Sequence, residues 1–278
     1  MTLTTYGNSV VAGGGFKSID GAPCSYVACW TGEHWSAPGR GGASGAMTVF
    51  NHELIVGGRF AEVDDVVCNR IARWDGDVWR NLGTGLSGGL FGDCRVSSLA
   101  VHGGELVVGG NFTYAGGLPC NFIATWDGAS WHALGTGVEP WPLDSGHRIV
   151  TIPVRAVAVY DGEVIVAASF AAAGGVPCNN IARWNGTDWQ PLGDGISGQY
   201  SWVSVLTVNQ GELIAGGEFS RRTGAQFDYI ARWNGNTWQP FDGELNQAVS
   251  ALLSFPGKLV VGGAFTTAGG IPCHHIAV

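Results

Sequence analysis

The chain has 278 residues, with 14 Lys and Arg against 22 Asp and Glu, so its formal net charge is −8. This acidic balance argues against nucleic-acid binding, which needs a basic surface, and a 45% apolar content argues against disorder. The sequence contains no apolar run of about 18 residues, the length of a membrane-spanning helix. Met1-Thr2-Leu3 leads directly into a strand pattern. We therefore expect no membrane association and no signal peptide.

A glycine-rich motif repeats along the chain at spacings of 44 to 58 residues. Each copy has two glycines, one variable residue and a phenylalanine, and alanines replace the glycines in the fourth copy. A pair of tryptophans five residues apart follows each of the first five copies. The motifs begin at Gly13, Gly57, Gly109, Ala167, Gly216 and Gly262. The tryptophan pairs are Trp30/Trp35, Trp74/Trp79, Trp126/Trp131, Trp184/Trp189 and Trp233/Trp238.

Each repeat is predicted to form four short strands. In the third copy they cover residues 96–102, 105–112, 121–126 and 131–134. Asp-Gly or Asn-Gly before the fourth strand is typical of type I′ hairpins. Four-stranded repeats of this length predict an all-β fold, a six-bladed β-propeller with antiparallel blades. We expect a single domain over residues 1–278, with blades near 1–44, 45–94, 95–153, 154–202, 203–247 and 248–278.

The third copy also carries a family resemblance. Residues 112–128 read Phe-Thr-Tyr-Ala-Gly-Gly-Leu-Pro-Cys-Asn-Phe-Ile-Ala-Thr-Trp-Asp-Gly. This pattern resembles the kelch repeat, in a divergent form common in large bacterial secreted proteins, and the resemblance covers nearly all of the chain. It departs from that form at Cys120, where a small residue such as alanine is usual. The resemblance implies a propeller, but kelch-type propellers include both binding modules and enzymes.

The last repeat stops inside its third strand, at residues 274–278. Its fourth strand is missing, so the predicted count is 23 strands. Three explanations are open: the last blade has three strands, the chain is a fragment of a longer protein, or a partner covers the edge. Because an unpaired edge strand favours association, the third explanation includes self-association through the incomplete last blade.

The connectors between blades vary most in length, and they share one face with the loops between second and third strands. Insertions concentrate where binding residues lie, so this variable-loop face is predicted to hold the functional site. Aromatic rings beside charged groups suit a sugar or a peptide. The alternative is that Trp141 and Trp202 fold back over the blade seams. The candidate ligand-binding residues are Arg95, Trp141, Asp144, Arg148, Arg155, Tyr200 and Trp202.

Arg155 is a large charged residue at a repeat position that holds glycine or serine in four other copies. The position twelve residues before the double glycine holds Gly45, Ser97, Arg155, Ser204 and Ser250. Strand alternation places these residues on one side of each first strand, toward the central channel. Arg155 is then an anion-binding group at the channel mouth, or an arginine paired with backbone carbonyls or an acidic neighbour.

The seven cysteines do not suggest a disulfide framework. Five occupy one repeat position, namely Cys24, Cys68, Cys120, Cys178 and Cys273. Residues on separate blades lie too far apart for regular disulfides unless these positions converge. The simpler interpretation is a small buried apolar residue at the start of each third strand. The alternative is a ring of thiols that holds a soft metal such as zinc.

A second set of residue types would suit a metal-dependent hydrolase. The candidate ligands are Asp93, His147, Cys273, His274 and His275, and zinc or calcium is the expected ion. By architectural analogy, six-bladed propellers include hydrolases of phosphotriesters, lactones and esters, in which bound zinc lowers the pKa of its water to about 7. No Gly-x-Ser-x-Gly or phosphate-binding loop motif occurs in the sequence.

The sequence therefore favours a propeller that binds a carbohydrate or a protein on the variable-loop face, and the expected ligand is a small molecule, a glycan or a protein. The alternatives are the metal-dependent hydrolase, with its site at the channel mouth, and a structural piece of a larger secreted repeat protein. The family resemblance places the protein outside the cell. The odd number of cysteines favours a reducing compartment such as the cytoplasm.

Overall fold

The computed structural model describes residues 2–39, 44–141, 154–196, 201–219 and 227–278. The regular structure of these residues is β, apart from one 3₁₀ turn at Leu90–Gly92, and this confirms the all-β prediction. No helix in the described part of the chain is long and apolar enough to span a membrane. The chain forms two compact units, Met1–Gly137 and Val138–Val278, here called unit 1 and unit 2.

Unit 1 contains three antiparallel sheets of four strands each. The first sheet consists of β1 (Thr2–Tyr6), β2 (Ser9–Gly13), β5 (Val27–Trp30) and β6 (Trp35–Ser36). The second consists of β7 (Ser44–Phe50), β8 (Glu53–Gly58), β11 (Ile71–Trp74) and β12 (Trp79–Asn81). The third consists of β14 (Arg95–His102), β15 (Glu105–Asn111), β18 (Ile123–Trp126) and β19 (Trp131–Ala133). In each sheet the strands pair in chain order.

Unit 2 repeats this arrangement. Its first sheet consists of β21 (Ala156–Tyr160), β22 (Glu163–Ala167), β25 (Ile181–Trp184) and β26 (Trp189–Pro191). The next consists of β27 (Trp202–Asn209), β28 (Glu212–Glu218), β29 (Ile230–Trp233) and β30 (Trp238–Pro240). The last consists of three strands, β31 (Val249–Phe255), β32 (Lys258–Gly263) and β35 (Ile276–Ala277). We number the sheets of the two units one to six in chain order.

Short hairpins lie between the second and third strands of five sheets, where the sequence predicts only loops. Gly116 and Gly117 form a two-residue turn, and both have positive φ, +60° and +84°. The hairpins are β3 (Ser18–Ile19) with β4 (Ala22–Pro23), β9 (Glu62–Val63) with β10 (Val66–Val67), β16 (Tyr114–Ala115) with β17 (Leu118–Pro119), β23 (Ala172–Ala173) with β24 (Val176–Pro177), and β33 (Thr267–Ala268) with β34 (Ile271–Pro272). Connector strands β13 (Leu86–Ser87) and β20 (Val138–Glu139) extend two of them.

The predicted type I′ turns are wrong at the Asp-Gly and Asn-Gly positions. The loop between Trp74 and Trp79 has four residues, because these two tryptophans pair directly across β11 and β12. Only Gly76 has a positive φ there. The Asp75 carboxylate instead accepts the backbone N–H groups of Asp77 and Val78, both at 2.9 Å. A side-chain acceptor therefore closes this turn in place of two left-handed residues.

The repeated double glycine lies where neighbouring strands come too close for a side chain. A Cβ on Gly57 would collide with the side chain of Val96, which belongs to the first strand of the next sheet. A Cβ on Gly110 would collide with the backbone carbonyl of Arg95, in the first strand of the same sheet. The first glycine therefore permits packing between neighbouring sheets, and the second permits the first strand to lie close to the second.

The paired tryptophans join successive sheets within each unit. The two rings of each pair lie 5.2 to 5.5 Å apart and are tilted by 49° to 54°. In three pairs the indole N–H of the second tryptophan donates to a carbonyl just after the fourth strand of the preceding sheet. These bonds are Trp79 to Pro38 at 2.6 Å, Trp131 to Leu82 at 2.9 Å and Trp238 to Leu192 at 3.0 Å.

Candidate functional site

One position of the repeat has a left-handed backbone conformation and a side chain that differs between copies. It lies just before the third strand and is left-handed in all six copies, with φ between 62° and 77°. At Arg70, for example, the backbone N–H donates to Phe60, and the carbonyl accepts the N–H of Gly58. Non-glycine residues pay a steric cost in this conformation, and such residues cluster at functional sites. The six residues are Tyr26, Arg70, Phe122, Asn180, Tyr229 and His275.

Asn180 is the centre of a hydrogen-bonded group in unit 2. Its side chain is buried, and its Oδ1 atom accepts the indole N–H of Trp141 at 3.1 Å and the backbone N–H of Phe170 at 3.2 Å. Its Nδ2 atom donates to the carbonyl of Ile196 at 2.7 Å. Four chain segments therefore meet at one buried amide.

Trp141 is held in place while much of the residue stays exposed. The indole N–H is bonded to Asn180, yet 42% of the residue is exposed. The neighbouring connector residue Glu139 is also tied down, because its carboxylate accepts the N–H of Gly175 at 2.7 Å. An aromatic ring fixed in this way is a pre-oriented surface for stacking.

Arg155 and Trp202 form a second aromatic group in unit 2. The guanidinium carbon of Arg155 lies 5.4 Å from the centre of the Trp202 ring, a cation–π contact. The backbones of three segments meet at the alanines that replace the double glycine. Arg155 donates to Ala167 and Val203 donates to Ala168, while the Ala168 N–H donates to Asn180. This dipeptide therefore links the segments that carry Asn180, Arg155 and Trp202, and the Asn180 side chain in turn bonds to Trp141.

The predicted alternation around Arg155 fails at its equivalent positions. In four sheets the register of the first strand shifts by one residue at this point. The extra residue of each β-bulge is Gly45, Ser97, Ser204 or Ser250. A bulge interrupts the two-residue period, so these residues do not continue the row formed further along the strand. The other predicted ligand-binding residues in unit 2, Asp144, Arg148 and Tyr200, lie outside the described residues.

Unit 1 has a charged group on the corresponding segments. Asp93 lies 3.3 Å from Nε of Arg59 and 3.5 Å from Nε of Arg95. Arg70 lies close by, because its guanidinium is near enough to Cys94 to oppose the rise in the pKa of that thiol, and it donates to the carbonyl of Phe60 at 2.8 Å. Among the described carboxylates, only Asp93 pairs with any of these three arginines. The group therefore has more positive than negative charge.

The loop before Asp93 presents an exposed phenylalanine. Phe91 is 77% exposed and has a φ of 57°. The buried side chain of Asn111 fixes this loop, since its Oδ1 accepts the N–H of Leu90 at 2.9 Å and its Nδ2 donates to the Leu90 carbonyl at 3.3 Å. Phe91 therefore projects from a loop that is held at its base.

Sequence reasoning missed Asn180, Asn111, Arg59 and Arg70. Arg59 and Asn111 each follow a double glycine, and Arg70 precedes a third strand. Both of these repeat positions vary between copies. A comparison of the variable positions between copies, rather than of the constant ones, would have singled them out. Asn180 occupies the same repeat position as Arg70.

The candidate metal ligands are not gathered in the described part of the chain. No three His, Cys, Asp or Glu side chains come close enough there to hold an ion. His274 and His275 are exposed beside half-buried Cys273, Asp93 pairs with arginines in unit 1, and His147 lies outside the described residues. The cysteines are free thiols, five of them buried. Burial raises the pKa of Cys120 to about 12, which suits the buried apolar role.

Comparisons with known proteins support the fold. A family model described as a domain of unknown function (DUF5122) beta-propeller matches residues 161–189, from the β21–β22 turn to the second tryptophan of that repeat. The crystal structure of the computationally designed Ika8 protein superposes with a TM-score of 0.52 at 17% identity, covering 94% of this chain and 67% of that one. No curated protein matches the sequence. The fold is a β-propeller fold, built here from antiparallel sheets of four strands and one of three.

Proposed function

We propose that this protein is a kelch-like propeller acting as a binding module, and that unit 2 binds a carbohydrate against Trp141. The observation that carries the proposal is the tether between the Trp141 indole and buried Asn180. Because the ring is already fixed, stacking on a sugar costs little additional ordering. Buried apolar packing alone would not explain a tryptophan that is held by a polar group and yet 42% exposed.

Arg155 adds a polar component to this proposed surface. Its guanidinium lies over the Trp202 ring, 5.4 Å from the ring centre, and a guanidinium carries its N–H donors in a rigid planar fork. Such donors suit sugar hydroxyls and, with two parallel bonds, a sugar carboxylate. We therefore expect a preference for carbohydrates that contain uronic acids over neutral ones.

The test is calorimetric titration with a panel of neutral and uronic-acid oligosaccharides. Trp141→Ala removes the stacking ring and is expected to weaken binding by about tenfold or more, as for a buried aromatic anchor. Trp141→Phe keeps a ring but loses the bond to Asn180, and is expected to give an intermediate loss. Arg155→Ala is expected to weaken the binding of acidic sugars and to leave that of neutral sugars nearly unchanged.

Trp184→Ala is the matched control, because Trp184 is a half-buried tryptophan of unit 2 that packs against Trp189 in the outer hairpin. Its melting temperature is measured beside that of the Trp141 variants. The proposal fails if no sugar binds, or if Trp184→Ala weakens binding as much as Trp141→Ala. An unchanged affinity for acidic sugars in Arg155→Ala removes the role of Arg155.

A further inference from the structure

We infer that unit 1 carries a separate docking surface for a peptide segment of a protein partner. The surface consists of Arg59, Phe91 and Arg95, with Arg70 and Asp93 behind it. The segment that fits it has a carboxylate side chain next to a large apolar one. This inference does not depend on the carbohydrate proposal, because the two use different residues in different units.

The charge balance of the surface calls for an anionic partner. Of the three guanidinium groups, two approach one described carboxylate, Asp93, through their Nε atoms, and Arg70 pairs with none of the described carboxylates. Arg59 remains 67% exposed and Arg95 31% exposed while they make these contacts. The whole chain has a net charge of −8, so this local excess of positive charge runs against the overall balance. A carboxylate of the partner would accept bonds from the terminal guanidinium nitrogens.

Phe91 makes a peptide a better fit than a free anion. Its ring is 77% exposed and lies two residues from Asp93. Asn111 and the bond from the Asp93 N–H to the Leu90 carbonyl, at 3.1 Å, hold the loop. Phenylalanine and arginine are enriched in protein interfaces, and a loop already ordered loses little entropy on binding. The left-handed backbone at Phe91 carries a steric cost that glycine would not, and such strained residues cluster at functional sites.

The first measurement is fluorescence anisotropy with a labelled short peptide of alternating glutamate and phenylalanine. Polyglutamate of equal charge, the corresponding lysine–phenylalanine peptide and oligogalacturonate serve as comparison probes. Arg59→Gln is expected to weaken binding of the glutamate–phenylalanine peptide about tenfold. Phe91→Gly is expected to do the same without lowering the melting temperature, because glycine relieves the left-handed backbone.

Arg80→Gln is the matched control. Arg80 is likewise an exposed arginine of unit 1 paired with one carboxylate, Asp75, and its loss is expected to leave binding unchanged. Trp141→Ala is also expected to leave it unchanged, which separates this surface from the carbohydrate site. The inference is overturned if the glutamate–phenylalanine peptide does not bind, or if Arg80→Gln weakens it equally. It is also overturned if polyglutamate or oligogalacturonate binds as tightly and Phe91→Gly has no effect.

Discussion

At the scale of single residues, aspartate and asparagine serve as the same side-chain acceptor in the turns before the fourth strands. Asp75 and Asp127 accept two backbone N–H groups each in unit 1, and Asn185 and Asn234 do the same in unit 2. Hydrogen bonds from Val78 and Asp77, followed by Arg80, lower the pKa of Asp75 to about 2. The His132 side chain, followed by Ser130 and Ala129, lowers that of Asp127 to about 2.

These lowered pKa values predict that the fold loses stability in acid as Asp75 and Asp127 become protonated. An unfolded aspartate titrates near pH 3.9, so both carboxylates stabilise the fold above about pH 4, and this contribution is lost as the pH falls toward about 2. The double variant Asp75→Asn/Asp127→Asn keeps the Oδ1 acceptors and removes the titration. We expect a smaller fall in melting temperature between pH 5 and pH 2 than in the unmodified protein, followed by circular dichroism.

The chain itself supplies the reverse control. Asn185→Asp/Asn234→Asp introduces two titrating acceptors at equivalent turns, and we expect a steeper fall in melting temperature over the same pH range. Identical pH profiles for all three proteins would show that these turns do not contribute to acid stability.

At the scale of elements, the second tryptophan of three pairs is bonded to the preceding sheet. The Trp131 indole reaches the carbonyl of Leu82, a fully buried residue of the preceding sheet. Phenylalanine would fill much of the same space but would remove this bond, and the Leu82 carbonyl would keep the backbone N–H of Gly85, at 3.0 Å, as its donor. The net contribution of one such hydrogen bond is about 0.5–1.5 kcal/mol.

We therefore predict that Trp131→Phe lowers the free energy of unfolding by about 0.5–1.5 kcal/mol more than Trp126→Phe does, measured by urea titration. Trp126→Phe is the matched control: Trp126 belongs to the same pair and is equally buried, at 5% against 4% exposed, but makes no such bond. Because both changes remove similar ring area, the difference between them isolates the hydrogen bond. Equal losses would mean that ring packing alone matters.

At the scale of the whole molecule, periodicity was enough to predict the fold. The spacing of double glycines and tryptophan pairs predicted antiparallel four-stranded sheets and a propeller, because each sheet reuses the same local pattern. The short hairpins were missed, since Ala-Gly-Gly reads equally well as a loop. The bulges were missed because a two-residue period contains no signal for one extra residue.

The sites were predicted less well than the fold. Trp141, Arg155 and Trp202 were predicted from their residue types and from the length of the connectors. Their partner Asn180 was not, because the Trp141–Asn180 bond joins residues 39 positions apart and depends on how the connector strand β20 pairs with the hairpin strand β23. The same applies to Arg59 and Asp93, which only the packing of the second sheet against the third brings together.

Most of the seven cysteine thiols, which are spread over both units, are buried. Only Cys29 and Cys273 are half-buried, and the other five thiols are buried. Burial raises the pKa of Cys68, Cys94 and Cys178, as it does for Cys120. Since the thiolate is the reactive form, both low access and raised pKa slow the modification of these thiols.

We therefore predict that the native protein at pH 8 reacts rapidly with Ellman's reagent at no more than two thiols, and that all seven react after denaturation. The variant Cys29→Ser/Cys273→Ser is expected to show no rapid phase and five slow thiols. The slow thiols can react only when their unit opens, so peptide mapping of Cys120 and Cys178 follows the opening of units 1 and 2 separately. Rapid labelling of Cys120 in the native protein would contradict a packed third sheet.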